Sequence, residues 1–213
     1  MITDDYNKVL TQHFPLATEQ MKEKLCALAD LYEQYNESIN LISRKDIANV
    51  FSHHILHSLA IAKVISFKPN CDIMDVGTGG GLPGLPLAIM FPKTNFLLVD
   101  SIGKKIKVVN ELINTLELEN VKAENVRAET INQKFDFVVS RAVTDLPTFV
   151  GWVSNKISKI QYHNLRNGIL YLKGGDLEAE LRELGKRKTK VYDLAAFFED
   201  EFFETKKLIH ITI

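Results

Sequence analysis

The sequence predicts an α/β protein: a doubly wound, mostly parallel sheet with an N-terminal helical extension. Three observations carry this. From residue 71 onward, short apolar runs alternate with helix-like ones, the pattern that lays parallel strands between two layers of helices. A glycine-rich stretch, Asp75-Val76-Gly77-Thr78-Gly79-Gly80-Gly81-Leu82-Pro83-Gly84, separates the first of these strands from the first helix. The chemically able polar residues then fall just behind strands: Asp100, Arg127 and Glu129, Ser140 and Arg141, and Lys173. Open parallel sheets bind ligands at those carboxyl ends.

Taken in order, residues 1–66 read as a helical cap and 71–213 as the sheet-bearing domain. In 18–35, Met21, Leu25, Leu28, Tyr32 and Tyr35 step by four and three residues, marking one helix face. Thr18 suits the N-cap, with Glu19 in the first turn. Asn36-Glu37-Ser38 breaks the pattern, and Asp46 is expected to cap a second helix running through Phe51, Ile55, Leu59 and Ala62 to about Ile65. Pro69 then forces a connector. Strands are expected at 73–76, 95–99, 121–125, 135–140 and 168–172, and helices at 82–91, 104–116, 147–159 and 177–184. Two final runs, 191–198 and 207–213, have no helical pattern between them and predict a closing antiparallel hairpin.

A chain of 213 residues supports one sizeable core. Hydrophobic and charged fractions of 46% and 25% are those of ordinary globular proteins. A net charge of −1 excludes a protein-wide basic field, so any nucleic-acid contact must be a local patch. The acidic start, Met1-Ile2-Thr3-Asp4-Asp5, lacks the apolar region of a secretory signal, and no run reaches the ~20 apolar residues of a membrane span. Cys26 and Cys71 are isolated and read as reduced thiols. A cytoplasmic location and a monomer are expected.

The strand–turn–helix setting gives the glycine stretch its meaning. Glycine lacks a Cβ, so the turn can tighten and approach a ligand, while a helix following it aims free N–H groups there. Asp100 closes the second strand 19 positions after Gly81 (100 − 81), near the ~20 expected of an acid that holds ribose hydroxyls. The spacing predicts a nucleoside cofactor. Asp75 adds a negative charge where a dinucleotide would put its pyrophosphate, which favours a ligand carrying ammonium or sulfonium. S-adenosyl-L-methionine is therefore expected ahead of NAD, and a nicotinamide dehydrogenase is the weaker alternative.

The stretch from Asp75 to Gly84, continuing Leu85-Pro86-Leu87, resembles the signature of the ribosomal RNA small subunit methyltransferase G family, also called glucose-inhibited division protein B. Further matches run along the chain: Tyr35-Asn36 with Asn40-Leu41, His54-Ile55-Leu56 with Ser58, Asp100-Ser101 with Gly103-Lys104-Lys105, Ser140-Arg141-Ala142 and Leu172-Lys173-Gly174. The resemblance implies a Rossmann-like, seven-stranded methyltransferase sheet. It implies cofactor contacts at Gly77, Leu82, Ala128, Glu129 and Arg141, to which the turn itself adds Gly79 and Asp100. The activity it implies is transfer of a methyl group from S-adenosylmethionine to N7 of one guanosine in 16S ribosomal RNA. Guanine N7 carries no hydrogen, so no general base is assigned. The alternatives are a non-catalytic small-subunit assembly or RNA-binding factor, and a methyltransferase with another substrate.

Two basic clusters stand out: Lys104, Lys105 and Lys107, and Lys186, Arg187, Lys188 and Lys190. Cations in a first helical turn oppose the helix dipole, so Lys104 and Lys105, with Arg44, Lys45 and Lys173, are expected to grip RNA phosphates. A structural ion pair between Arg141 and Asp75 is the plain alternative to a site role for Arg141. His53 and His57 lie one turn apart but lack any metal-ligand partner spacing, and no metal is expected. The family pattern has arginine and aspartate at these two positions. The near-neutral chain suggests a substrate already organised in a small-subunit particle.

Overall fold

The computed structural model describes residues 2–213, with side chains from residue 5 onward. Seven strands form one sheet in the order β3-β2-β1-β4-β5-β7-β6. They are β1 (Asp72–Val76), β2 (Asn95–Val99), β3 (Val121–Glu124), β4 (Phe137–Arg141), β5 (Gly168–Gly174), β6 (Thr189–Asp193) and β7 (Lys206–Thr212). β1 to β5 run parallel, and β7 lies antiparallel between β5 and β6. The expected final hairpin is therefore present, but its first strand ends at Asp193, and Leu194–Ala196 turns into a 3₁₀ helix that buries Leu194.

Helices α1 (Ile2–His13), α2 (Glu19–Asn36) and α3 (His57–Leu59) precede the sheet. The others are α4 (Gly84–Met90), α5 (Gly103–Thr115), α6 (Leu146–Val153) and α7 (Glu178–Glu183). α2 starts as its sequence requires, with the Thr18 hydroxyl accepting the Met21 N–H at 3.3 Å, and it buries Leu25, Leu28 and Tyr32. The second cap helix is not regular. A 3₁₀ turn (Ile47–Asn49), a π-helix (Val50–Leu56), the single turn of α3 and another 3₁₀ turn (Ala60–Lys63) follow one another. Asp46 does not cap them. Its carboxylate oxygens are instead engaged by His53 Nδ1 and His54 Nε2, each at 2.6 Å. The widened π turn presents the adjacent His53 and His54 to one acid, a bond stronger than a neutral N-cap contact.

The cap does not stand apart from the sheet. Leu10, Leu25, Tyr32, Ile55 and Leu59 share one hydrophobic cluster with Ile73, Leu85, Phe96 and Val139. A second cluster on the opposite face joins Met74, Val138 and Tyr171 to α6 and α7. Among the described residues, no helix is long and apolar enough to cross a membrane.

Candidate active site

β1 delivers the chain into the glycine turn, where Gly77, Gly79 and Gly81 all take positive φ (+68°, +58°, +95°). Gly77 has a second reason to be glycine: a Cβ there would lie 2.4 Å from Val143 Cγ2. The turn uses its own donors. The N–H groups of Gly77 and Thr78 go to Val99 O, those of Gly81 and Leu82 to Thr78 O, and that of Gly79 to Asp100 Oδ2 at 2.8 Å. A pyrophosphate would need those donors free.

Asp75 departs from expectation. It does not face the ligand: it is fully buried beneath the turn, and its Oδ2 accepts the Thr78 hydroxyl at 2.6 Å and the Gly84 N–H at 2.9 Å. Burial pushes its carboxyl up to about 7, the Thr78 and Gly84 hydrogen bonds and Arg141 pulling the other way. The first N–H of α4 is thus consumed by the protein rather than offered to a ligand. Helix and acid meet so closely that a Cβ on Gly84 would lie 2.8 Å from Asp75 Oδ2 and 2.7 Å from Leu98 Cγ.

Beside the turn, at the ends of β1 and β2, lies a cavity of about 280 Å³ whose walls include Gly77, Asp100, Ala128, Glu129, Val143 and Trp152. Four of the seven expected cofactor residues meet in it. Gly79 borders it through its bond to Asp100. Leu82 is buried and Arg141 lies elsewhere. Asp100 is braced on both oxygens, Oδ2 by Gly79 and Oδ1 by the Ile102 N–H at 2.8 Å. The 128–130 turn is fixed from behind by buried Lys156, whose ammonium donates to Glu129 O (3.1 Å) and Ile131 O (2.6 Å). A larger hollow of about 340 Å³ between α1 and residues 198–200 lies off these strand ends.

Arg141 alternates along β4 onto the face that carries Val139 and, on the neighbouring β1, Asp75. This face lies under the cap. Among the described residues the guanidinium makes no ion pair, so the Arg141–Asp75 salt bridge is not formed. Arg141 and burial act together on the cap histidines: burial first, then the guanidinium, lowers His54 to about 4 and holds His57 well below its usual range. Both are neutral near pH 7. His54 Nδ1, His57 Nε2 and Asp75 Oδ1 are buried without a partner, so polar capacity remains under the cap. His53 and His57 do not converge on a metal; His53 stacks on Phe202 at 3.9 Å and His57 meets Phe202 and Phe203 edge-on. Among the described residues, no group of three or more metal-ligating side chains is assembled.

The turn is also held from the cap. Tyr32, fully buried, donates its hydroxyl to Gly80 O at 2.8 Å. Tyr32→Phe keeps the ring but strands that carbonyl, at a cost of about 1–3 kcal/mol. Thermal unfolding should show this loss of stability, with cofactor affinity falling several-fold by calorimetry; unchanged values of both would show that the bond is idle.

Of the expected phosphate-gripping residues, Arg44, Lys45 and Lys104 are exposed, and Lys105 reaches back over the turn, its Nζ 3.9 Å from where a Gly79 Cβ would be. Lys173 is differently employed: its ammonium bonds both Glu180 oxygens (2.6 and 2.8 Å) and Thr144 O (3.1 Å), tying α7 to the loop after β4. Tyr32, Val143, Trp152 and Lys156 were not singled out from the sequence. Tyr32 offers a signal there, a hydroxyl in the middle of a helix face whose buried neighbours are Leu25 and Leu28 and which must find a partner; Lys156 reads as one more charge in a polar segment.

A family model described as rRNA small subunit methyltransferase G (GidB) matches residues 21–204. The chain belongs to the rRNA small subunit methyltransferase G family. It is 54% identical over 204 residues to the Ribosomal RNA small subunit methyltransferase G of Flavobacterium johnsoniae, covering 96% of this chain and 97% of that protein. It is 50% identical over 206 residues to the protein of the same name from Bacteroides thetaiotaomicron, covering 97% and 100%. Solved structures share the fold at low identity. A mutant of MtNAS in complex with S-adenosylmethionine has a TM-score of 0.59 at 12% identity, covering 99% of this chain and 78% of that one. A SAM-dependent methyltransferase from Aquifex aeolicus has 0.53 at 16%, covering 73% and 89%. The protein is thus a methyltransferase of the S-adenosylmethionine-dependent class. Its residues fit that cofactor: a Cβ at Gly79 would meet open space with only Lys105 near, most of the turn's N–H groups are already bonded, and a braced carboxylate stands at the end of the second strand.

Proposed function

We propose that this methyltransferase modifies N7 of a guanosine in 16S ribosomal RNA. One observation carries the reading: the strand-end cavity is built to hold and orient, with Asp100 braced on both oxygens and Glu129 as its other carboxylate, and no histidine or cysteine stands among its lining residues. When bound, S-adenosylmethionine supplies a methyl group already activated on a sulfonium. Gly77 and Gly79 would border the cofactor at the turn, Asp100 would accept from its ribose hydroxyls, and Ala128 and Glu129 would flank its adenine. Arg141 and Leu82 lie outside that cavity, on the cap side, and would meet only a part of the cofactor that extends beyond it. The lone pair of guanine N7 needs no deprotonation, so what the protein supplies is alignment, an effect that can reach ~7–11 kcal/mol. The base is reached most readily from an unstacked segment. Arg44, Lys45, Lys104 and Lys105 hold the flanking phosphates. A net charge of −1 supports a substrate already folded in a small-subunit particle, met by a monomer in the cytoplasm.

The test is mass spectrometry of small-subunit RNA after incubation with the enzyme and the methyl donor. One new N7-methylguanosine is expected with the wild type, and at least about tenfold less with Arg141→Ala. Methylation at another atom or on protein would replace the reading.

A further inference from the structure

The second basic cluster has no place in the cofactor site. Parallel β1 to β5 end at the glycine-turn edge of the sheet, and β6 runs parallel to them because β7 is antiparallel to both β5 and β6. Thr189, the first residue of β6, pairs with Ile211, and Gly168, the first of β5, with Thr212. Lys186, Arg187 and Lys188 therefore lie at the opposite edge of the sheet, about five residues or ~17 Å of strand away from the cofactor cavity. Arg166 joins them there: His210 Nε2 bonds its carbonyl at 2.9 Å, and His210 lies on β7 opposite Lys190 of β6. Lys159 is on the adjoining loop, which also exposes Tyr162 (61%) and Ile160 (61%). All six cations are exposed, and none is in an ion pair among the described residues. Of the acids at this edge, Asp136 is buried and takes the Asp72 N–H and the Asn167 amide, and half-buried Asp72, the first residue of β1, accepts the Asn95 amide. Glu183 stands exposed at the end of α7.

We propose that this far edge is a second RNA-contact surface: Lys159, Arg166 and the 186–190 cations hold phosphates of a ribosomal RNA segment separate from the one being methylated, with Tyr162 as a stacking platform. The inference rests on the proposed RNA substrate. In a chain of net charge −1, a cluster of cations without ion-pair partners, on the same edge of the sheet as an exposed aromatic, is the arrangement that nucleic acid complements. Because the surface cannot reach the reacting atoms, it acts on capture of the substrate: two contacts on one RNA raise the effective concentration of the second.

Lys186→Gln/Arg187→Gln/Lys188→Gln removes three exposed charges. Binding of purified small-subunit particles across a potassium chloride series should show a log–log salt slope shallower by about 2–3 units. KM for the particle should rise about tenfold, with kcat and S-adenosylmethionine affinity unchanged. A photo-crosslinking amino acid at position 162 should link to ribosomal RNA. An unchanged slope, a KM equal to that of the wild type, or cross-links to ribosomal protein alone would overturn the proposal. A wild-type enzyme that forms no methylguanosine would instead remove the reading on which it rests.

Discussion

Asp100→Ala is expected to weaken S-adenosylmethionine binding about 100-fold or more. Two losses add. The carboxylate is the proposed acceptor for ribose hydroxyls at the end of the second strand, and it also takes the Gly79 N–H on Oδ2, with Oδ1 on the Ile102 N–H completing the brace. A hydrogen bond to a charged group contributes about 1.5–3 kcal/mol, and 1.4 kcal/mol is tenfold in affinity. Asp100→Asn keeps one acceptor oxygen and should recover part of the binding. Calorimetric titration measures both variants. Affinity within about threefold of wild type for Asp100→Ala would remove Asp100 from the site. The residue is half-buried at the sheet edge, so the fold should survive the change.

The second large effect is on stability and depends on pH. The Asp75 carboxyl is raised from 3.8 to about 7 by burial. A raised acid binds its proton in the folded state while the unfolded chain has released it. Its contribution is therefore whole below about pH 3.8 and is lost as pH climbs through about 7. The span of about three pH units corresponds to about 4 kcal/mol. Asp75→Asn, a neutral mimic of the protonated acid, should abolish that decline. The difference in unfolding free energy between variant and wild type should grow in the variant's favour from pH 4 to pH 7, then level off. Parallel curves would show that Asp75 is ionised throughout. His54, lowered from 6.5 to about 4 by burial, has the opposite sign: the unfolded chain takes up the proton first, so its contribution is lost as pH falls from 6.5 through 4. Comparing wild type with Asp75→Asn cancels that shared background.

The functional site was legible unevenly, and the reasons are physical. The turn at Gly77, Gly79 and Gly81 could be read because positive φ restricts residue choice locally, and Asp100 because strand spacing fixes its distance along the chain. Asp75 was misread for its direction. Sequence places it beside the turn, but alternation along β1 and the closeness of Gly84 to Leu98 put it underneath. The 46–65 segment was read as a plain helix because its apolar spacing fits one. The π turn there goes with His53 and His54 sharing Asp46 and with Phe202, which packs on His53 from a distant part of the chain. Lys173 read as a surface cation, and it is Glu180 on α7 that takes it up.

By itself, the sequence determined the alternation of strands and helices, the glycine turn and the acid that follows it, since these depend on backbone conformation and apolar period over a few residues. Only the tertiary structure decided which polar groups meet. It put Arg141 under the cap beside neutral histidines, Tyr32 on the Gly80 carbonyl, Lys156 behind the 128–130 turn, and the 186–190 cations on the edge away from the cofactor. Those outcomes depend on strand order and on contacts tens of residues apart, which local pattern does not encode.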